Sequence, residues 1–129
     1  FVFRHYPLRS IHAQAETAAR AAQAASVQGK FWEMHDILFE KQREWAGDPF
    51  ASKKFLDYAV AMNLDLDRFG PDMDAAEAAA KIESDQKGGF QAGVNSTPTF
   101  YLQGKKIAPP RDYASFRALI LQELEAAKI

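Results

Sequence analysis

The sequence predicts a helix-rich α/β chain that ends in a small hairpin and a last helix. Three observations carry that expectation. Residues 1–6 form an aromatic, β-branched run; alanine-rich and amphipathic stretches of helical period fill the middle; and the period changes to that of a strand at residues 99–102.

Phe1-Val2-Phe3-Arg4-His5-Tyr6 is rich in residues that fit a pleated, half-buried surface, so it is expected to be a strand. Pro7 ends it, having no N–H to give to a ladder. Residues 11–27 hold Ala15, Ala18, Ala19, Ala22 and Ala25, the best helix former, at spacings that let a helix pack close to its neighbour. Gly29 stops that helix. Phe31, Met34, Ile37 and Leu38 mark a second helix, expected to run to Trp45.

Gly47-Asp48-Pro49 is a turn signal, with Pro49 suited to a first helical turn. Phe55, Leu56, Ala59 and Met62 stripe a third helix over residues 51–62. Residues 66–69 are expected to make only a short turn, with Pro71 as an interruption. A fourth helix over 73–91 uses Ala76, Ala79, Ala80, Ile82 and Phe90; Gly88-Gly89 is expected to fray or bend it, and Gly93 to cap it. Residues 99–102 and 105–108 form a hairpin around Gly104, closed by Pro109-Pro110. Asp112 caps a terminal helix lined on one face by Tyr113, Phe116, Leu119, Ile120 and Leu124. No repeat or linker divides the pieces, so one domain over 1–129 is expected.

Composition bounds the function. Apolar residues make up 47% of the 129, enough for a hydrophobic core. Sixteen basic side chains, scattered along the chain, face seventeen acidic ones, which gives no grip on nucleic acid or anionic lipid. No apolar stretch approaches the roughly 20 residues that span a bilayer. With no cysteine, the chain has no disulfide, thiolate metal site or thiol nucleophile of its own. His5, His12 and His35 are too widely spaced to be a metal set, and no metal or cofactor is expected. His35 reads as a packing or capping residue, and Phe31, Trp32 and Phe39 as core. Asp65, Asp67, Asp72 and Asp74 lack the glycine and distal glutamate of a calcium loop; Glu77, Glu83 and Asp85 read as a wet helix face. Gly88, Gly89 and Gly93 have neither the preceding strand nor the following Lys-Ser/Thr of a phosphate loop.

Two stretches are more specific. Gln28-Gly29-Lys30-Phe31-Trp32-Glu33-Met34-His35-Asp36-Ile37-Leu38-Phe39 and Gly93-Val94-Asn95-Ser96-Thr97-Pro98-Thr99-Phe100-Tyr101-Leu102, followed by Gly104-Lys105, resemble recurring segments of DsbA-like thiol:disulfide oxidoreductases. Residues 1–8 resemble the strand after the active-site helix of that family, and the order of the remaining elements fits along essentially the whole chain. The resemblance implies a thioredoxin-like fold with a helical insertion at about 10–92 and a hairpin and helix at about 97–127. It implies a cis Thr97–Pro98 bond, with Thr97 offering backbone groups to an extended, cysteine-containing polypeptide and Pro98 shaping the groove. A modest electrostatic role falls to His5, beside the expected active site.

The family's Cys-x-x-Cys turn and the strand before it are expected upstream of Phe1, in a longer protein of which this chain is the C-terminal portion. Without that central strand, open sheet edges would invite self-association or strand exchange. Family members are usually exported, which implies an extracytoplasmic location. Two alternatives accompany this reading: a cysteine-free thioredoxin-like module that binds peptides or a partner, and a relative of the glutathione-dependent isomerases.

Overall fold

A computed structural model describes residues 1–128. The chain folds as two compact units, Phe1–Ala92 and Gly93 onward. The first contains helices α1 (Ala15–Val27), α2 (Phe31–Glu40), α3 (Gln42–Trp45), α4 (Ala51–Ala61), α5 (Leu66–Asp74) and α6 (Ala76–Gln91). The second contains β1 (Phe100–Leu102), β2 (Lys105–Ile107) and α7 (Tyr113–Ala126).

Helix α1 is the hub of the first unit, packing against α2, α4, α5 and α6. Ala18, Ala21, Ala22, Ala24 and Ala25 are all buried, and their small side chains are what allow helices to surround it so closely. The helix begins later than expected, because Ile11 and His12 both donate their N–H to the Leu8 carbonyl in a preceding turn. It ends where Gly29 takes φ +76°, letting the Lys30 N–H reach back to the Ala25 carbonyl at 2.9 Å. Met34, Phe55 and Phe69 fill the core beside it, from α2, α4 and α5.

Three expectations about helices need correction. The second helix is two: the chain breaks at Lys41, and the Trp45 indole N–H donates to the Leu38 carbonyl at 2.9 Å. Pro71 interrupts nothing; it lies inside α5, which runs on to Asp74. Gly70 before it has no Cβ to clash with the proline ring, and burial of Phe69 and Met73, one turn apart, holds the helix together. Asp65 caps that helix by accepting the Asp67 N–H at 3.0 Å. Helix α6 starts at Ala76 and passes through Gly88-Gly89 to Gln91, with Gly93 at φ +86° just beyond; Phe90, expected in the core, is exposed.

The expected strand at residues 1–6 is not formed as a strand. A strand exists only through a neighbour, and the one ladder among the described residues is β1 with β2. The His5 N–H instead donates to the Asp85 carboxylate at 3.0 Å.

In the second unit β1 and β2 run antiparallel, with Phe100 opposite Ile107, Tyr101 opposite Lys106 and Leu102 opposite Lys105. Gln103 and Gly104 both have positive φ, 51° and 75°, the turn whose twist matches that of the strands it joins. Asp112 caps α7 by accepting the Ser115 N–H at 2.7 Å. Phe116 packs edge-on to Phe100, ring centroids 5.2 Å apart. The expected apolar face of α7 buries nothing completely: Phe116 and Leu119 are half-buried, whereas Tyr113, Ile120 and Leu124 are exposed.

Candidate functional site

Thr97 and Pro98 lie in the segment that leads into β1, and their peptide bond is cis. Both are exposed. The neighbouring Thr99 hydroxyl donates to the Ser96 carbonyl at 2.6 Å, tying the segment to itself on the hairpin side. Pro98 has no N–H, so the backbone hydrogen-bonding groups of the Thr97–Pro98 pair are the two carbonyls and the N–H of Thr97. An exposed corner at the root of a strand is a place where an extended peptide can be held through backbone groups.

His5 belongs to the first unit. Its residue is 5% exposed, and its ring Nε2 meets Gln23 Oε1 of α1 at 3.2 Å. Phe3 and Phe31 present their rings to it edge-on, at 5.3 and 6.1 Å between centroids. Burial pushes the imidazole below its ordinary range, against the opposing effects of Gln23 and the Asp85 charge.

Asp85 is the residue that sequence reasoning missed. Its sequence context predicts a wet helix face shared with Glu77 and Glu83; those two are exposed, but the Asp85 side chain is 1% exposed. Its carboxylate accepts the His5 N–H, takes Lys81 Nζ at 2.6 Å and lies 3.6 Å from the Arg4 guanidinium. Burial works to raise its pKa, but the Lys81 and His5 hydrogen bonds and the Lys81 charge outweigh it, so the carboxyl lies below its usual range. The signal was present: Asp85 follows Ala78 and Ile82 at the i+4 and i+7 positions of the buried stripe.

The other aromatic candidates surround His35. Its ring meets Phe3, Trp32 and Phe39 at 5.3, 5.1 and 5.0 Å, and its Nδ1 lies 2.8 Å from an Asp36 carboxylate oxygen. Phe31 is half-buried there, but Phe39 and Trp32, expected in the core, are exposed. Among the described residues no group of His, Asp and Glu is gathered as a metal set, and no helix is long and apolar enough to cross a membrane.

A family model described as thioredoxin matches residues 1–122. The chain belongs to the thioredoxin family. A thioredoxin-like oxidoreductase from Silicibacter pomeroyi is similar to this thioredoxin-family chain with a TM-score of 0.74 and 26% identity, covering 98% of the chain and 69% of that protein. The fold is thus thioredoxin-like, helix-rich with a small antiparallel sheet, in a chain without a cysteine. Among curated relatives, the Na(+)/H(+) antiporter NhaA 3 of Salinispora tropica is 35% identical over the whole chain, and NhaA 1 of Salinispora arenicola is 41% identical over 106 residues, 82% of it. The chain spans 19% and 16% of those two proteins.

Proposed function

We propose that this chain is the peptide-docking and scaffold portion of a DsbA-like thiol:disulfide oxidoreductase acting on cysteine-containing polypeptides. The observation that carries the reading is the likeness to an oxidoreductase over almost the whole chain, in a chain that has no thiol. Thr97 and Pro98 are then the docking point, where the exposed backbone pairs with an extended substrate segment, and the redox thiols come from another part of the polypeptide. His5 contributes through the placement of residues 1–6 and not as a proton carrier, since burial keeps its ring neutral at ordinary pH. We place the intact protein outside the cytoplasm, where oxidised cysteines persist.

Thiol–disulfide exchange requires a thiolate, so the chain alone gives no turnover of insulin or of a dithiol peptide. The decisive measurement is a titration of the isotope-labelled chain with an extended, serine-for-cysteine peptide. The reading expects amide shifts confined to residues 95–99; a peptide that binds elsewhere, or leaves those amides unmoved, overturns it. Activity of the full gene product, and its loss when any cysteines there become serines, tests the redox half separately.

A second reading has its own support. Identities of 35–41% to proteins named as Na(+)/H(+) antiporters favour an accessory domain carried on such a transporter. Fractionation of the full gene product separates the two: a membrane-integral polypeptide supports the accessory domain, and a freely soluble one removes it.

A further inference from the structure

The first unit holds a buried polar cluster, around His5, in which Gln23 and Asp85 have no part in either reading. It joins three pieces of chain: residues 1–6, α1 and α6. Asp85 of α6 takes the backbone N–H of His5, and Gln23 of α1 meets the ring of the same residue, so His5 is gripped at both its backbone and its side chain. Outward from His5 the aromatic rings continue the contact, with Phe3 against Phe31 and His35, and Phe1 against Trp32 at 5.5 Å. Those rings are half-buried or exposed, so His5 is the most deeply buried residue of the segment.

We propose that His5, Gln23 and Asp85 form an acid-released latch that holds residues 1–6 against α1 and α6. The charged groups around the ring come from every element packed on it. Arg4 lies on the segment itself, Glu16 on α1, His35 on α2 beyond Phe3 and Phe31, and Lys81 and Asp85 on α6. Arg9, on the turn before α1, is occupied with Glu16, Glu83 and Gln86. Lys81 disfavours a charged His5 while Asp85 and Glu16 favour it, and desolvation exceeds them all.

The direction follows from the two states. The held segment keeps the imidazole neutral, whereas the released segment titrates near the ordinary value of about 6.5. Holding is therefore complete above that pH and weakens as pH falls below it, by at most about tenfold per pH unit, until the held ring itself takes a proton. Asp85 has a depressed pKa, so its contribution persists above about 3.9 and is lost only as pH falls through its lowered value. Between pH 7.5 and 4.5 the operative group is His5.

The test is amide and indole NMR on the full chain across that range, read as protection factors. The His5 amide is expected to lose protection below pH 6.5, and the Trp32 indole, which faces Phe1 and Phe3, to shift with it. The Trp45 indole, hydrogen-bonded to Leu38 inside the bundle, should stay unchanged. His5→Gln should abolish the transition in this window, and His35→Gln should leave it in place. Constant His5 protection from pH 7.5 to 4.5 overturns the latch, as does a Trp45 signal that moves in step, or a transition that survives His5→Gln and vanishes in His35→Gln.

Discussion

The two compact units reach order by different means. In Phe1–Ala92 the helices close around buried side chains, with Met34, Phe55, Phe69 and Ile82 wholly out of solvent. From Gly93 onward α7 buries no residue completely, and the visible constraints are local: a positive-φ turn at Gln103-Gly104, a capped helix start at Asp112 and one aromatic pair. Burial is a collective property, so damage in the first unit should spread through all of it. Local hydrogen bonds fail one at a time, so damage in the second should stay where it is made.

The sharpest way to break that contrast is a core truncation. Phe55→Ala removes a ring that touches Trp45 and Tyr58 and should cost about 3–5 kcal/mol, lowering amide protection throughout α1, α2, α4 and α5. A loss confined to α4 would mean that the first unit is not cooperative. Next comes Asp85→Ala, which strands the buried His5 N–H and should cost about 1–3 kcal/mol by urea denaturation at pH 7. The loss should be largest where the wild-type carboxylate is ionised and should shrink as pH falls through its lowered value, because protonation removes the extra stability of the charged form.

In the second unit the expected effects are smaller and local. Gly104→Ala forces a Cβ into φ +75° and should cost about 1 kcal/mol, seen as faster amide exchange at Lys105 and Leu102 with α1 untouched. Asp112→Ala should trim only the first turn of α7, reducing its helicity by circular dichroism and freeing the Ser115 amide to exchange. If either substitution lowers protection in the first unit, the two units do not unfold independently.

Where local chemistry decides structure, the sequence was readable. Alanine content and Gly29 place α1 and its end, Gly104 the hairpin and Asp112 the start of α7, whereas the cis bond at Thr97–Pro98 is legible only through the family resemblance of its motif. Where tertiary contacts decide, it was not. The break at Lys41 accompanies an indole that reaches back to Leu38, and the persistence of α5 through Pro71 depends on what Phe69 and Met73 bury. Asp85 was misread because residue type outweighed position: a carboxylate looks solvated until its place on the Ala78–Ile82 stripe is counted. Residues 1–6 were misread for the opposite reason, since composition can give a segment the taste for a sheet without supplying the neighbour.

The alanine spine of α1 has a thermal consequence. A methyl group has no rotamers to freeze, so α1 packs against four other helices without the entropic penalty that longer side chains incur on ordering. On warming, motion should therefore begin among the long exposed side chains of the periphery, such as Glu33 and Lys87, while the central rod and its immediate neighbours stay in register until the whole bundle melts.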